Sequence, residues 1–520
     1  MEIPITFAMT MAWDVESISS DGLTDFFSAM ALRDIGSGLS QNVGAAWHEY
    51  DRLVSLRRHE HIEPSTFSLL HYNEAEIILE RWKSLLMNAK AIYDRISKDL
   101  QPAAFELVLH PIKASYIFTT LQIMLGKNQI FARQRRNSTN KLALEVLRLF
   151  DEDYSLSEEF HQLLDGKWNQ IMRQTHYGYE ETWHAPSRDM ISGLCYVQRR
   201  QSSNPIVGQM GVAVEGHMGV RPGLTNEESD RTHPSRRDLT PGVTLGQMSR
   251  YGPLARWVDI FSRGTYTIHW KASVPYGWIH LSHTSGFLEP DEYDSRIEIS
   301  IDWERVPVDF HEEILIDIRS EEGDFEQIHL PVNGRTIPDS FQHGFIEADG
   351  YVSMPASLTS IEDAYYVLPD AGRSEFGLVA LADITIFPPS YLEYEVHTFT
   401  SDASAALVLY FNMTLDFDPT TPMTYELQID EELPQTHRLI VNEERKGGLP
   451  SGWLQAVQDC VWVRKHATSD SFLRAGRHTL RIRLLHTNLL LEKLLVDLGG
   501  VSESYLGPPS SQYVNRSNRT

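Results

Sequence analysis

Cysteine and positive charge are both scarce in this sequence of 520 residues. There are only two cysteines, Cys195 and Cys460, which lie far apart in the chain. They provide no disulfide framework and no basis for a metal site, although they could pair with each other. Lysine and arginine total 46 against 71 acidic residues, giving a formal net charge of −25. This excess argues against nucleic acid or an anionic membrane surface as a partner, because both need a basic surface.

Long apolar runs and common catalytic motifs are also absent. No stretch of about 20 apolar residues occurs, so no membrane span is expected. The first basic residue is Arg33, so the start does not resemble a signal peptide, and the sequence assigns no cellular location. The G-x-S-x-G, G-x-x-x-x-G-K-[ST] and H-E-x-x-H patterns are missing. We therefore predict no serine-hydrolase triad, no cofactor and no metal.

The first half of the chain reads as helical. The length predicts two to four domains, because one hydrophobic core rarely serves more than about 250–300 residues. Over residues 73–100, apolar side chains such as Ile78, Trp82 and Leu85 recur at close to the 3.6-residue helical period. Short connections between several such segments predict an antiparallel helical bundle over residues 41–185.

The most distinctive segment covers residues 165–183, DGKWNQIMRQTHYGYEETW, at the predicted end of a helix over residues 157–175. It concentrates aromatic rings with polar tips around Gly178, where a helix can stop. Two interpretations of His176 and Tyr179 remain open. In the favoured interpretation they pack at the helix end or at an interface between subunits. In the alternative they line a substrate cleft.

The second half of the chain reads as β-structure. Residues 186–252 lack periodicity, and their Gly, Pro, Ser and mixed charges predict a long loop or linker. Beyond them, alternating segments such as 296–303 (RIEISIDW) predict strands. Closely spaced turn residues favour antiparallel sandwiches over βαβ units. The predicted β-regions are a small sandwich at 253–335, a larger one at 340–510 and a tail at 511–520.

Two groups of conspicuous side chains have structural interpretations. Arg133, Arg135 and Arg136 are expected on a solvated helix face, with contact to an anionic chain as the alternative. Trp270, Trp278 and Trp303 are expected in the core of the small sandwich, with exposed stacking platforms for sugar rings as the alternative.

Several segments resemble glycoside hydrolase family 115, the xylan α-1,2-glucuronidases. In the helical half they are YNEAE at 72–76, GKNQIFARQRR at 126–136 and GKWNQIMRQTHYGYEETW at 166–183. In the strand-rich half they are GVAVEG at 211–216, YGPLARWVDIFSRG at 251–264, GFIEADGYVS at 344–353, GRHTL at 476–480 and DLGGVSESYLGPP at 497–509. Each is modest alone, but together they occur in family order and cover nearly the whole chain.

The resemblance implies a multidomain α + β protein. An antiparallel helical bundle would precede two β-sandwich modules, with a remnant of a (β/α)8 barrel over residues 1–40. Family members carry their catalytic acids on that barrel, ahead of the part that this sequence resembles, so no catalytic residue is assigned here. Glycoside hydrolysis needs two carboxyl groups around the scissile bond. We therefore expect the sequence to be a fragment or truncated form that is inactive as an isolated chain.

The resemblance also suggests where substrate is held. Arg373, in GRSEFG, resembles a Gly-Arg step of the family's C-terminal domain. A guanidinium suits a uronic acid because it binds a carboxylate through two parallel hydrogen bonds, but a surface arginine in a turn is the alternative. Arg373, His176 and Tyr179 are therefore the candidate substrate-binding residues.

The implied partner is a polysaccharide of the glucuronoxylan type, from which the parent enzyme would remove glucuronic or 4-O-methylglucuronic acid branches. The resemblance also implies a possible homodimer. The alternative function is a non-catalytic carbohydrate-binding or interaction protein built from the same bundle and sandwiches.

Overall fold

Two units, one helical and one dominated by strands, make up the computed structural model. The described residues are 2–19, 22–179, 186–199, 209–218, 243–362, 364–382, 388–401, 405–416, 418, 420–440, 449–467 and 474–516. The first unit comprises Met1–Leu69, Asn73–Ala132 and Thr139–Tyr196. The second comprises Leu70–Tyr72, Arg133–Ser138 and Val197–Thr520. Mixed helices and multiple β-sheets therefore agree with the α + β prediction.

Helices of different lengths account for most of the first unit. They are α1 Glu2–Trp13, α2 Leu23–Asp34, α3 Ser40–Leu56, α4 Glu74–Tyr93, α5 Gln101–Ala104, α6 His110–Arg133 and α7 Ser138–Gly166, with a 3-10 turn at His59–His61 and a π-helical turn at Phe105–Leu109. In α4 the periodic side chains Ile78, Trp82 and Leu85 are buried. Each such burial contributes about 1.5–3 kcal/mol, which explains why this stripe fixes the helix. None of the described helices is apolar over enough of its length to cross a bilayer.

Helix α7 ends earlier than the sequence suggested. Leu164 and Asp165 have positive φ angles of 51° and 56°, and Gly166 follows at 84°. Residues 167–175, predicted as helix, are therefore turns and irregular chain. The ring of His161 accepts a hydrogen bond from the backbone N–H of Met172 at 3.0 Å, which holds the chain in its new direction. Residues 180–183 of the aromatic segment lie outside the described residues.

The smaller β-region contains two sheets. Its strands are β1 Met210–Val214, β2 Val243–Thr244, β3 Met248–Ser249, β4 Ala255–Ser262, β5 Ile268–Ser273, β6 Ile279–Leu281, β7 Ser285–Leu288, β8 Ser295–Ile301, β9 His311–Ser320 and β10 Phe325–Asn333. One sheet has the order β1-β4-β8-β6, and the other has the order β2-β10-β9-β5-β7 with β3 also paired to β10. Trp270 and Trp278 are buried in the core that these sheets share.

The prediction of a loop or linker over residues 186–252 is wrong for part of that segment. Strand β1 is fully buried and pairs antiparallel with β4, from Met210 opposite Ser262 to Val214 opposite Val258. Strands β2 and β3 pair parallel with β10. These three strands are too short to show a period in sequence. The most polar parts of the segment, residues 200–208 and 219–242, lie outside the described residues.

The larger β-region contains two more sheets. Its elements are β11 His343–Ile346, β12 Tyr351–Pro355, β13 Tyr365–Leu368, β14 Leu378–Leu381, β15 Leu392–Thr398, β16 Ala406–Asn412, β17 Thr424–Ile429, β18 Gln435–Arg438, α8 Trp453–Asp459, β19 Val461–Ala467, β20 Gly476–Leu484, β21 Leu490–Asp497 and β22 Tyr513–Asn515. The orders are β18-β17-β20-β15-β11-β22 and β13-β14-β21-β16-β19, with β12 also paired to β21. Tyr394 and Tyr425 from one sheet share a core with Phe411 and Trp462 from the other.

The three neighbouring arginines do not share a solvated face. Arg133 and Arg135 are exposed, but Arg135 has a φ of 56°, which turns the chain after α6 and leaves Arg136 buried. The Nη1 atom of Arg136 lies 3.0 Å from Asp259 Oδ2 and 2.8 Å from Asp294 Oδ2. Burial raises the pKa of Asp294, and the charge of Arg136 opposes that shift. The predicted solvated face is therefore wrong for Arg136, whose guanidinium pairs with two buried acids.

We expect Arg136→Leu to lower the free energy of unfolding by about 3–5 kcal/mol, because it removes a counter-charge from the buried carboxylates of Asp294 and Asp259, of which Asp259 retains Arg296. Chemical denaturation followed by circular dichroism measures the effect. The matched control is Arg133→Leu at the exposed neighbouring position, which should change stability by less than about 0.5 kcal/mol. Equal effects from the two substitutions would contradict the assignment.

Candidate ligand-binding site

A cavity of about 500 Å³ lies within the second unit. It is lined by parts of segments 71–72, 215–216, 244–256, 333–335, 347–351, 399–400 and 500–502. These include residues from five of the motifs that carry the family resemblance, YNEAE, GVAVEG, YGPLARW, GFIEADGYVS and DLGGVSESYL. Motifs that are far apart in the sequence therefore meet at one place.

A tight turn places one carboxylate at this cavity. Asp349 and Gly350 have positive φ angles of 54° and 72°, and Ala348 and Tyr351 exchange backbone hydrogen bonds of 3.1 and 3.0 Å around them. Asp-Gly is a preferred pair where both central residues of a turn need positive φ. A Cβ on Gly500 would lie only 1.7 Å from the carbonyl oxygen of Asp349, so no side chain fits at that position. The position of Asp349 is therefore fixed from two sides.

Arg256 holds two carboxylates at the cavity wall. Its Nη1 donates to Glu215 Oε1 at 2.8 Å, and its Nη2 donates to Asp349 Oδ2 at 2.6 Å and to the carbonyl of Gln247 at 3.0 Å. The Arg256 and Glu215 side chains are each 10% exposed, so these charge-assisted bonds are largely protected from water. Burial lowers the pKa of Arg256, but the charges of Asp349 and Glu215 outweigh it and the net shift is upward. Arg256 therefore remains a cation.

The register of β1 and β4 explains why Glu215 reaches this arginine. Val214 stands opposite Val258, so Glu215 emerges from the end of β1 beside Trp257 and Arg256. The backbone N–H of Glu215 donates to the carbonyl of Trp257 at 3.1 Å, and the N–H of Trp257 donates to Glu215 Oε2 at 3.2 Å. Both carboxylate oxygens of Glu215 are thus occupied.

The third acid in the cavity lining is also committed to the protein. Glu347 Oε2 accepts hydrogen bonds from the backbone N–H groups of Phe399 and Thr400, and its Oε1 accepts from the Thr400 hydroxyl. A glycosidase needs one carboxyl that donates a proton and a second that attacks or activates water. Among the acids that line the cavity, Glu215 and Glu347 have both carboxylate oxygens hydrogen-bonded to the protein. The geometry therefore suits binding better than hydrolysis.

Three polar atoms at the cavity have no hydrogen-bond partner within the described part of the chain. They are Asp349 Oδ1, Ser249 Oγ and Arg256 Nε, all of which are buried. Burial raises the pKa of Asp349, while Arg256 opposes the shift. Burial also lowers the pKa of His71, which favours a neutral imidazole at the cavity wall. The site thus combines unused donors and acceptors with little free charge.

Arg373 is not a surface arginine in a turn. Its side chain is 3% exposed and lies 3.7 Å from the carboxylate of Glu492, which is 2% exposed. Its Nη1 donates to the carbonyl of Tyr505 at 3.0 Å, and the rings of Tyr410 and Tyr505 lie beside its guanidinium. In this structure Arg373 is an interior residue, so its place gives no support to direct contact with a uronic acid.

His176 and Tyr179 lie in the first unit, and Arg373 lies in the second. His176 Nδ1 is 2.6 Å from Asp153 Oδ2, a contact that raises the pKa of His176 although burial opposes it. Tyr177 between them is buried against the ring of Phe118. Tyr179 is exposed, and its hydroxyl accepts a hydrogen bond from Gln174 at 3.1 Å. His176 therefore has an internal partner, as the packing interpretation requires, whereas Tyr179 stands at the surface.

Neither cysteine pairs with the other in this structure. Cys195 and Cys460 form no disulfide with each other, and the thiol of each donates a hydrogen bond to a backbone carbonyl, of Gly193 and Val457 respectively. Within the described residues, no group of three or more His, Cys, Asp or Glu side chains is arranged to hold a metal ion.

Sequence reasoning missed Glu215, Arg256 and Asp349. All three lie in motifs quoted for the family resemblance, VAVEG, LARW and EADG, and each stands beside an apolar run. A charged residue beside a short apolar run was the only feature of the sequence that could have indicated these three residues. The sequence offered no means to recognise that the three charges meet.

Two models of one family match the chain. Glycosyl hydrolase family 115 matches residues 1–61, and the glycosyl hydrolase family 115 C-terminal domain matches residues 344–510. They confirm the resemblance that was recognised in the sequence. No curated protein matches the chain in sequence.

Solved structures extend the likeness to the fold. The family GH115 4-O-methyl-α-glucuronidase BtGH115A, described as having specificity for decorated arabinogalactans, matches with a TM-score of 0.51 and 13% identity. The match covers 95% of this chain and 44% of that chain, so this chain spans less than half the length of that structure. The isomalto-dextranase of Arthrobacter globiformis T6 has a TM-score of only 0.21 and 9% identity, over 47% of this chain and 35% of its own.

We expect Arg256→Met to lower the free energy of unfolding at pH 7 by about 3–5 kcal/mol, because Glu215 and Asp349 lose their counter-charge. Without the arginine, the burial that raises the pKa of Asp349 is no longer opposed. The deficit should therefore shrink as the pH falls toward 4 and Asp349 takes up a proton. Denaturation at several pH values measures this trend, with the exposed Arg335→Met as control. A deficit that grows at low pH would contradict it.

We expect the His176–Asp153 contact to stabilise the first unit more at low pH than at high pH. The folded pKa of His176 lies above the ordinary 6.5, so the contribution is complete below pH 6.5 and is lost as the pH rises through the folded pKa. Asp153→Asn should remove this dependence and lower the His176 pKa. Nuclear magnetic resonance titration of the ring protons measures it. An unchanged titration in the variant would show that Asp153 is not the cause.

Proposed function

We propose that this chain is a member of glycoside hydrolase family 115 and forms the helical and β-sheet portion of a hydrolase acting on a polysaccharide of the glucuronoxylan type. The parent reaction is removal of glucuronic or 4-O-methylglucuronic acid branches. One observation carries the proposal: the two ends of the chain match the same family in the same order. The fold likeness to BtGH115A along 95% of the chain supports it.

The proposed domain arrangement follows from the sequence and the observed elements. Residues 1–40 represent the end of the catalytic barrel, and residues 41–185 form an antiparallel helical bundle. A small β-sandwich comprises residues 253–335 together with the strands at 210–214 and 243–249, and a second sandwich covers residues 340–510, followed by the tail at 511–520. Two pairs of sheets, each with one shared core, support the sandwich assignment. Homodimer formation through these parts belongs to the same proposal.

We infer that the isolated chain does not hydrolyse its substrate. Retaining and inverting glycosidases both need a pair of carboxyl groups at a set separation. The family resemblance assigns that pair to the barrel. At the cavity, the oxygens of Glu215 and Glu347 are engaged by the protein itself. The chain's own contribution is therefore to bind polysaccharide and to support the catalytic part.

A non-catalytic carbohydrate-binding protein is the second candidate function. It is favoured by the cavity, where Asp349 and Ser249 have polar atoms that no described residue uses while the other lining acids are committed. The two candidates differ in whether this polypeptide acts together with a catalytic barrel.

Incubation with glucuronoxylan and with glucuronic acid-decorated arabinogalactan tests the proposal. We expect the purified chain to release no uronic acid, as measured by anion-exchange chromatography. A separately produced family 115 barrel domain should bind the chain. The mixture should then release more uronic acid than the barrel alone. Release by the chain alone would overturn its assignment as inactive. A barrel that neither binds nor responds would favour the carbohydrate-binding alternative.

A further inference from the structure

We propose that the cavity around Arg256 and Asp349 is an ancillary saccharide-binding site that takes a neutral sugar unit of the polysaccharide, and not its uronic acid branch. The inference goes beyond the proposed hydrolase function, because it concerns binding at a place that lacks a free pair of carboxyl groups.

The first support is the volume and lining of the cavity. Its volume of about 500 Å³ falls within the range of roughly 300–1,000 Å³ that small-molecule sites usually have. Tyr251 stacks on Phe399 in the lining, with ring centroids 5.9 Å apart and planes at 16°. The Tyr251 hydroxyl accepts the backbone N–H of Ile337 at 3.0 Å, which fixes the ring. A rigid ring beside polar groups suits the apolar face and hydroxyl rim of a sugar.

The second support is the pattern of unused polar atoms. Arg256 Nε is a donor, Asp349 Oδ1 is an acceptor, and the Ser249 hydroxyl is both. In this structure the three atoms have almost no surface open to water, so a bound molecule reaches them only after a small shift of the cavity lining. Buried polar atoms without partners are costly, and a molecule that satisfies them after that shift recovers free energy. Sugar hydroxyls donate and accept at neighbouring carbons, which matches such a mixed set. A purely anionic or purely cationic ligand would satisfy only part of it.

The third support is the charge balance. Three carboxylates, Glu215, Glu347 and Asp349, face two arginines in the lining. Arg256 pairs with both Glu215 and Asp349, so the lining holds three carboxylates against two guanidinium groups. Arg335 is exposed, and its Nη1 donates only weakly, at 3.4 Å, to the carbonyl of Phe399. A uronate would thus enter a lining with a small excess of negative charge, whereas a neutral sugar meets no such repulsion.

Isothermal titration of the full chain tests the site with matched probes. These are xylotetraose, β-galactotriose, and xylotetraose carrying one 4-O-methylglucuronic acid branch. We expect at least one neutral probe to bind, and the acidic probe to bind no more tightly than xylotetraose. Ser249→Ala should weaken neutral binding about fivefold, the effect of one lost hydrogen bond.

Ser390→Ala is the matched control. Its hydroxyl is also buried without a hydrogen-bond partner among the described residues, yet it does not line the cavity. It should leave binding unchanged, and neither variant should unfold at a lower midpoint than the parent chain, because each substitution removes a buried hydroxyl that no described residue binds. Failure of both neutral probes to bind would overturn the proposal. So would equal losses in the two serine variants, or tighter binding of the acidic probe that Arg335→Ala abolishes. No hydrolysis is measured, so these results are independent of the catalytic proposal.

Discussion

The hydrogen bonds of the Arg256 guanidinium are the interactions that hold distant segments of the second unit together. It binds Glu215 at the end of β1, the carbonyl of Gln247 between β2 and β3, and Asp349 in the turn between β11 and β12. One side chain therefore links both sheets of the smaller β-region to the larger β-region. Charged groups so well protected from water need their partners in place, so the link is stable only when all three segments are correctly positioned.

The same principle recurs elsewhere in this acidic protein. The sequence has 71 acidic residues against 46 lysines and arginines, so carboxylates are available to pair with buried arginines. Several buried arginines form such pairs. Arg136 joins Asp259 and Asp294, and Arg373 lies beside Glu492 in the interior of the larger β-region. Arginine suits this role because its planar guanidinium directs several donors while keeping its charge. Buried arginines thus act as internal counter-ions. An arginine that lies in a family-like motif can therefore have a structural role and need not contact substrate.

The proposed functional consequence is a division of labour. By the family resemblance, cleavage is expected of a barrel with paired acids, whereas this chain's cavity has hydrogen-bonded carboxylates together with a few polar atoms that no described residue binds. Such a lining fits the ligand binding that we propose better than it fits a proton donor and a nucleophile. Residues in the helical unit, including His176 with its Asp153 partner, contribute to the stability of a helix end.

Local patterns determined much of this protein from sequence. The buried stripe of α4, with Ile78 and Trp82, follows from the helical period, and β8 follows from strict alternation, because both depend on near neighbours. The resemblance to family 115 also emerged from motif order, and the two family models confirm it. Only the tertiary structure brought Arg256 to Glu215 and Asp349, which are 41 and 93 residues away in the chain. It likewise buried Arg136 and Arg373 and made β1 a strand, because partners so distant leave no periodic signal in a single sequence.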